Sequence, residues 1–306
     1  MNKKNKILIV THNGTFHADD VFACATLSLY LKSKKKLIKI IRTRDEKKIE
    51  NADIVVDIGR IYDEKKNRFD HHQKGGAGKR ENGVPYASFG LVWNKYGPII
   101  SGNKEVCKKI DEVLVQSIDA GDNGVDYFDI KIDNVFPYEL RNIFHAFQPT
   151  WKEKDNKDKV FIEMVNFASK ILEREVKKNT DLLQIEKNIL SVYKKTKNKK
   201  IIVLDKPFSR FDIVNSLMKF KEPVYAIYPD SDRKDWSVVG VKNESDSFEV
   251  RKPFPEGWGG KEGEDLEIIT GVPGSIFCHR ALFLCSTKSK AGAIALASLA
   301  LDNNSN

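Results

Sequence analysis

The chain has 306 residues, 52 of them Lys or Arg and 43 Asp or Glu, for a formal net charge of +9. With 41% hydrophobic residues it can bury a sizeable core, which excludes wholesale disorder, and at roughly 150 residues per domain its length suggests two domains. The charge splits 34 basic to 28 acidic over residues 1–190 and 18 to 15 over 191–306, so no basic tail or module stands out and an anionic partner is only weakly favoured.

Ile7–Val10 reads as a strand that ends in the turn-like His12-Asn13-Gly14. Apolar residues from Val21 to Leu31 predict a largely buried helix over about Ala18–Lys32. Leu37–Thr43 and Ala52–Ile58 follow as strands, the latter a buried parallel one around Ile54-Val55-Val56. This order predicts an α/β fold: a doubly wound, mostly parallel sheet, with functional groups at the C-terminal ends of its strands. Gly75–Gly83 reads as a flexible loop, Ala87–Tyr96 and Lys104–Ile118 as helices, and Asp119–Gly124 as a turn. Lys157–Lys197 has helical spacing, as one long helix or two, and the Lys194–Lys200 run reads as a solvated linker. Beyond it, strands over Ile201–Leu204, Val224–Tyr228, Trp236–Val241, Ile276–Cys278 and Ala281–Cys285 and an Ala-rich helix over Lys290–Ala300 predict a smaller α/β or α+β domain. The predicted division is 1–190 and 191–306.

No apolar run reaches the roughly 18 residues of a membrane-spanning helix, and Met1–Lys6 with Ile7–Val10 is too short for a secretory leader, so no membrane partner is expected. The cysteines (Cys24, Cys107, Cys278, Cys285) form no CxxC pair and read as free thiols in a reducing, cytoplasmic compartment.

Four of the six histidines fall in the first 72 residues, each close to an aspartate. Three clusters stand out: Thr11–Asp20 after the first strand, Asp57 ending the third, and Phe69-Asp70-His71-His72-Gln73 before the glycine-rich loop; Asp119 is a fourth candidate, with Asp122 beside it. Carboxylates and imidazoles gathered at strand ends suit one or two divalent metals, and imidazole shifts preference from Mg²⁺ toward Mn²⁺ or similar ions. Paired metals would activate a water and stabilise both oxygens of an in-line phosphoryl displacement.

On these residues the chain resembles the DHH phosphoesterase superfamily. More closely, Thr11–Asp20, Arg42-Thr43-Arg44-Asp45, Asp53–Gly59, Phe69–Gln73, Asp122-Asn123-Gly124 and the segment from Gly271 to His279 resemble the melanocyte-proliferating-gene-1 family over nearly the whole chain. The resemblance implies a DHH-type catalytic domain and a metal-dependent 3′–5′ exonuclease on RNA or short oligonucleotides, with two Mn²⁺ ions, or Mg²⁺ or Co²⁺ in their place. It implies His12, His17, Asp19, Asp57, Asp70, His71 and Asp119 as metal ligands, Asp70 as either a ligand or the support of one. Asp57, His71 and His72 would carry the chemistry, and His72 would ligate or position a phosphate. The sequence departs from the superfamily at Phe16, where an Asp is usual, which moves the next candidates to His17 and Asp19. Asp20 then reads as charge at a helix start, Asp122 and Asn123 as turn formers, and His145 as a packing residue.

In the second domain the superfamily's Gly-Gly-Gly-His signature is absent. Its nearest equivalents are Gly257-Trp258-Gly259-Gly260 and Gly274-Ser275 with His279-Arg280. Glycine N–H groups at Gly259, Gly260 and Gly274 would approach a phosphate, His279 and Arg280 would pair with it, and Trp258 would stack on a base. Arg42 and Arg44, after the second strand, face either the cleft or solvent. A small-molecule phosphatase or pyrophosphatase, and a metal- or nucleic-acid-binding protein without turnover, remain the alternatives, and a homodimer is compatible with either. No protease-type nucleophile or zinc-protease helix motif is present to support peptide hydrolysis.

Overall fold

The structure is a computed structural model that describes residues 6–154, 156–244 and 249–303. The chain forms two compact units, Met1–Thr180 and Asp181–Asn306. In the first, β1 (Lys6–Thr11), α1 (Ala18–Ser33), β2 (Leu37–Arg42), α2 (Glu46–Glu50) and β3 (Ile54–Val56) wind a parallel core. Two short strands, β4 (Tyr62–Asp63) and β5 (Arg68–Phe69), complete a sheet of order β2-β1-β3-β5-β4. All its pairings are parallel except β4 with β5. The fold class is the expected one.

The register brings the strand ends level. Thr11 lies opposite Arg42, Val10 opposite Val55, and Val56 opposite Phe69. The residues that follow, His12, Thr43, Asp57 and Asp70, therefore emerge along one edge of the sheet, where open α/β sheets place their ligands. Helix α1 is buried almost all round, and Phe22 packs on Phe89 and Phe144 at 5.2 and 5.5 Å between ring centroids.

Helix α3 (Ser88–Ser101) is followed by a continuous helical run, α4 (Lys104–Ile110), a π turn over Asp111–Val115, and α5 (Gln116–Asp122). In the π turn the Gln116 N–H reaches back to the Asp111 carbonyl, one residue further than an α-helical bond. The helix thus extends past the predicted end at Ile118, and Asp119 lies within it. Asn123 and the left-handed Gly124 (φ +66°) stop it. After α6 (Leu140–Ala146) comes α7 (Lys157–Lys195), one helix of 39 residues. The division between the units falls inside α7, earlier than the predicted position after Leu190.

The second unit contains β6 (Ile201–Val203), α8 (Arg210–Met218), β7 (Tyr225–Pro229), β8 (Trp236–Gly240), α9 (Gly263–Thr270), β9 (Ser275–Cys278), β10 (Leu284–Thr287) and α10 (Lys290–Asp302). Its sheet has the order β6-β7-β8-β10-β9, parallel only between β6 and β7. All four cysteines are free, and three are buried. Among the described residues no helix is long and apolar enough to cross a membrane.

Candidate metal centre

His12 leaves the end of β1 with its Nδ1 3.1 Å from the Asn13 carbonyl. A carbonyl only accepts, so Nδ1 carries the proton and the neutral ring presents a lone pair at Nε2. That nitrogen lies 3.3 Å from Asp20 Oδ2 and 3.2 Å from Asp57 Oδ2. Asp20 Oδ2 is buried and has no hydrogen-bond partner. The same arrangement recurs at His71. Its Nε2 is buried without a hydrogen bond, 3.4 Å from Asp57 Oδ1 and 3.1 Å from Asp122 Oδ2.

Three groups of side chains bring ligand atoms within 4.8 Å of one another: His12, His17 and Asp57; Asp57, His71 and His72; and Asp19, His71 and Asp122. Asp57 joins the first two and His71 the last two. A chain of imidazoles and carboxylates with shared members fits more than one divalent cation. The orphaned, converging acceptor atoms need positive charge between them, as protons or as metal.

Electrostatics point the same way. Burial pushes the Asp20 carboxyl up to about 7, against the pull of His12. Asp19 is driven well above the carboxylate range by burial and then by Asp122, Asp57 and Asp119. At His71 burial lowers the affinity for a proton, but Asp122 and Asp57 outweigh it and raise the group to about 11. At Asp57 burial is outweighed by His12 and His71, which hold it below the carboxylate range. Without a cation the cluster must take up protons, and a divalent ion can replace them.

The start of α3 supports the acids. The Ser88 and Phe89 N–H groups donate to the two oxygens of Asp19 at 3.1 and 2.6 Å, and the Gly90 N–H donates to Asp119 Oδ1 at 3.0 Å. The unpaired N–H groups and dipole of a helix start favour buried carboxylates there. Ser88 Oγ also donates to Asp57 Oδ1 at 3.2 Å. Gly90 leaves no room for anything larger, because an added Cβ would lie 1.9 Å from Asp119 Oδ2.

Asp119 therefore does not join the expected ligand set. Its Oδ2 accepts from Arg80 at 2.7 Å while its Oδ1 holds Gly90, so both oxygens are engaged. Arg80 also forms a two-pronged pair with Asp111 at 3.1 and 2.7 Å, which pins the glycine-rich loop to the π turn. Asp122, read as a turn former, takes the expected place of Asp119. It lies one helical turn on, in contact with His71 and 4.0 Å from His17. Asp20 likewise does more than charge a helix start. Its Oδ1 caps the His17 N–H at 2.8 Å and its Oδ2 faces His12.

Asp70 appears in none of the three groups. Its Oδ2 accepts the Arg60 N–H at 2.5 Å, and its Oδ1 accepts the His72 N–H at 3.1 Å and lies 2.7 Å from His72 Nδ1. This clamps the loop after β3, where Asp57 (φ +54°), Gly59 (φ +96°) and Arg60 (φ +55°) all adopt left-handed backbone. Left-handed non-glycine residues are strained and persist where the surroundings hold them. Here the conformation aims the Asp57 carboxylate between His12 and His71. His17 and His72 are the open members of the site, with side chains 54% and 55% exposed.

The second-unit candidates are engaged within their own unit. Trp258 is buried in that unit's core, stacked on Phe254 at 6.0 Å, so its ring is closed to a base. The Gly260 N–H donates to the Cys278 carbonyl, and the Gly274 N–H to Glu267 at 2.9 Å, so neither is free for a phosphate. A Cβ at Gly259 would lie 3.0 Å from Leu282, which gives this glycine a packing role. His279 is half-buried against Phe283, with Nδ1 taken by the Ala281 N–H, while Arg280 is exposed.

Two cavities adjoin the cluster. One of about 370 Å³ is lined by His17, Asp19, His72, Asp122, Arg141 and the exposed His145, which is not a packing residue. The other, about 290 Å³, is lined by His12, His17, Arg44, Asp57, Arg60 and His72, with Asp70 beside them.

The chain matches the model of the uncharacterised protein family UPF0160, MYG1_exonuc, over residues 8–301. The chain is a member of the MYG1 family. It is 31% identical to a MYG1 protein of Caenorhabditis elegans, over 96% of this chain and 95% of the relative. It is 28% identical to a protein of Homo sapiens named MYG1 exonuclease, over 97% and 86%. A solved structure of an exopolyphosphatase-related protein from Bacteroides fragilis covers 97% of this MYG1-family chain and 92% of its own, at 15% identity and a TM-score of 0.24.

Proposed function

We propose that this MYG1-family chain is a Mn²⁺-dependent phosphodiesterase that releases mononucleotides from the 3′ end of RNA or short oligonucleotides. The observation that carries the reading is the convergence of His12 Nε2, His71 Nε2 and the oxygens of Asp20, Asp57 and Asp122. Membership of a family whose human and rat proteins are named exonucleases supports it. His12, His17, Asp19, Asp57, His71 and Asp122 would hold the metals. Bound there, divalent ions would activate water and offset charge on the phosphate.

The protein's own groups do the rest. Asp57, fixed by Ser88 Oγ and the strained loop, holds the two histidine groups in register. Asp70 fixes His72 through Nδ1 and leaves Nε2 to take up or release a proton at an oxygen of the phosphate. The open side of the site at His17 and His72 admits the substrate end.

The test is a panel of labelled RNA, DNA of the same sequence, and pyrophosphate, each with Mn²⁺, Mg²⁺ or Co²⁺ and after chelation. Mononucleotides released stepwise from the RNA 3′ end, and none after chelation, is the expected result. Faster turnover of pyrophosphate than of any oligonucleotide would make the protein a small-molecule phosphatase. RNA binding without cleavage would remove the enzyme reading altogether.

Metal binding should also show in stability. The Asp20 carboxyl is raised to about 7, so the stability it contributes in metal-free protein is complete below its ordinary value of 3.8 and lost as pH rises through 7. Mn²⁺ supplies positive charge to the same carboxylates, so its gain in Tm should be larger at about pH 8 than at about pH 5. Thermal unfolding with and without chelator measures this, and equal gains at both pH values would count against the assignment.

A further inference from the structure

The 290 Å³ cavity beside the cluster is lined by acidic and imidazole groups together with two arginines, Arg44 and Arg60. Arg44 lies between the end of β2 and the Asp45 cap of α2. Arg60 ends the left-handed loop that starts at Asp57. Both are exposed, and neither guanidinium has an ion pair or a hydrogen-bond acceptor among the described residues. Nearby arginines are engaged. Arg42 is held by Asp158 at 3.0 Å and the Gly14 carbonyl at 2.7 Å, and Arg80 by Asp111 and Asp119. The choice left open in the sequence between cleft and surface resolves differently for the two residues: Arg42 is a buried brace, and Arg44 lines the cavity.

We infer that Arg44 and Arg60 form an anion subsite for a second phosphate of the substrate, next to the phosphate that reacts at the metal cluster. The inference rests on the reading of the site as a phosphodiesterase and names its substrate class: a chain with at least two phosphates, not a lone phosphodiester. Three features support the subsite. The backbone of Arg60 is fixed, because its N–H is tied to Asp70, whose other oxygen orients His72. Thr43 N–H is bonded to the Thr11 carbonyl at 2.8 Å, so the residue before Arg44 is locked to the strand that delivers His12. Both cations are thus set on the same scaffold as the reacting groups. The cavity also needs them, because without Arg44 and Arg60 its charged lining would be the acids that repel a polyanion. Guanidinium binds phosphate oxygens in two-pronged fashion, which suits a group held at a fixed offset from the reacting one.

The experiment compares ApA, with one phosphate, against its phosphorylated forms pApA and ApAp. Calorimetry gives binding and turnover assays give KM and kcat, for the wild type and for R44Q/R60Q. The expected result is that the wild type binds one of the phosphorylated dinucleotides about tenfold or more tighter than ApA, by the strength of charge-assisted bonds. In R44Q/R60Q that preference collapses toward unity, with the change falling on KM. R44K/R60K keeps only part of it, since lysine retains the charge but not the two-pronged geometry, and raised salt weakens it in the wild type. A wild type that binds all three dinucleotides alike, or an R44Q/R60Q protein that keeps the wild-type preference, overturns the subsite. If the wild type cleaves no dinucleotide, the phosphodiesterase reading fails, and the calorimetric comparison still decides the subsite. Circular dichroism of the variants separates loss of fold from loss of binding.

Discussion

Asp57→Asn should lose metal binding and turnover together, by more than about 100-fold. Groups that merely support a metal ligand cost roughly 10–100-fold in metal affinity when removed. Asp57 does more than that, because it faces His12, His71 and His72 at once, with both oxygens in use. Asparagine keeps the shape and tolerates the left-handed backbone at φ +54°, so the loop should survive. What it removes is the negative charge shared by two of the three ligand groups. Titration of Mn²⁺ by calorimetry and cleavage of labelled RNA measure the two losses. Wild-type affinity and turnover in the variant would show that the cluster is not a metal centre.

Gly90→Ala should destabilise the protein by about 3–5 kcal/mol, the cost of breaking a buried ion pair from one side. The new methyl group would lie 1.9 Å from Asp119 Oδ2 and 2.9 Å from a ring carbon of Tyr86. Asp119 is fully buried, and moving away from the new methyl group would pull its Oδ2 from Arg80, 2.7 Å away. Burial already pushes its carboxyl up to about 7, against the pull of Arg80, so losing that partner would leave it unbalanced. The sign is informative, because helix propensity alone would make alanine better than glycine by about 1 kcal/mol. Denaturant unfolding reads the difference. A variant as stable as the wild type would mean that Asp119 can leave Arg80 at no cost.

Much of the first unit can be read from the sequence because its signals are local. Ile7–Val10, Leu37–Thr43 and Ala52–Ile58 are short apolar runs ended by polar residues, and these polar residues are the ones gathered at the sheet edge. The two strands that position Asp70 leave no mark in the sequence, since two residues each give no periodicity. Asp122 was masked by turn-like composition, although the Asn123-Gly124 stop pointed to a helix ending at Asp122. Asp20 had a signal too, three residues after His17, the spacing of a helix-start cap. No local pattern reports Arg80, Ser88 or Gly90, because their roles depend on partners 29 to 39 residues away. Trp258 and its glycines show the opposite error. Their composition suits a phosphate loop, yet hydrophobic burial and backbone bonding account for all of them.

The π turn over Asp111–Val115 sets a phase. Each residue of a helix rotates the next by about 100°, so one residue more or fewer turns everything downstream through more than a quarter of a circle. Asp111, the first residue of the turn, meets Arg80, and Asp119 and Asp122 meet Arg80 and His71 after it. A regular α-helix through the same stretch could not point all three acids at these partners. The inserted residue therefore acts as an angular spacer between the brace of the glycine-rich loop and the histidine–aspartate cluster. It makes this stretch the place in the unit where length, more than composition, is constrained. Side chains on its outer surface are free to drift, while a single-residue insertion or deletion would swing Asp122 out of reach of His71.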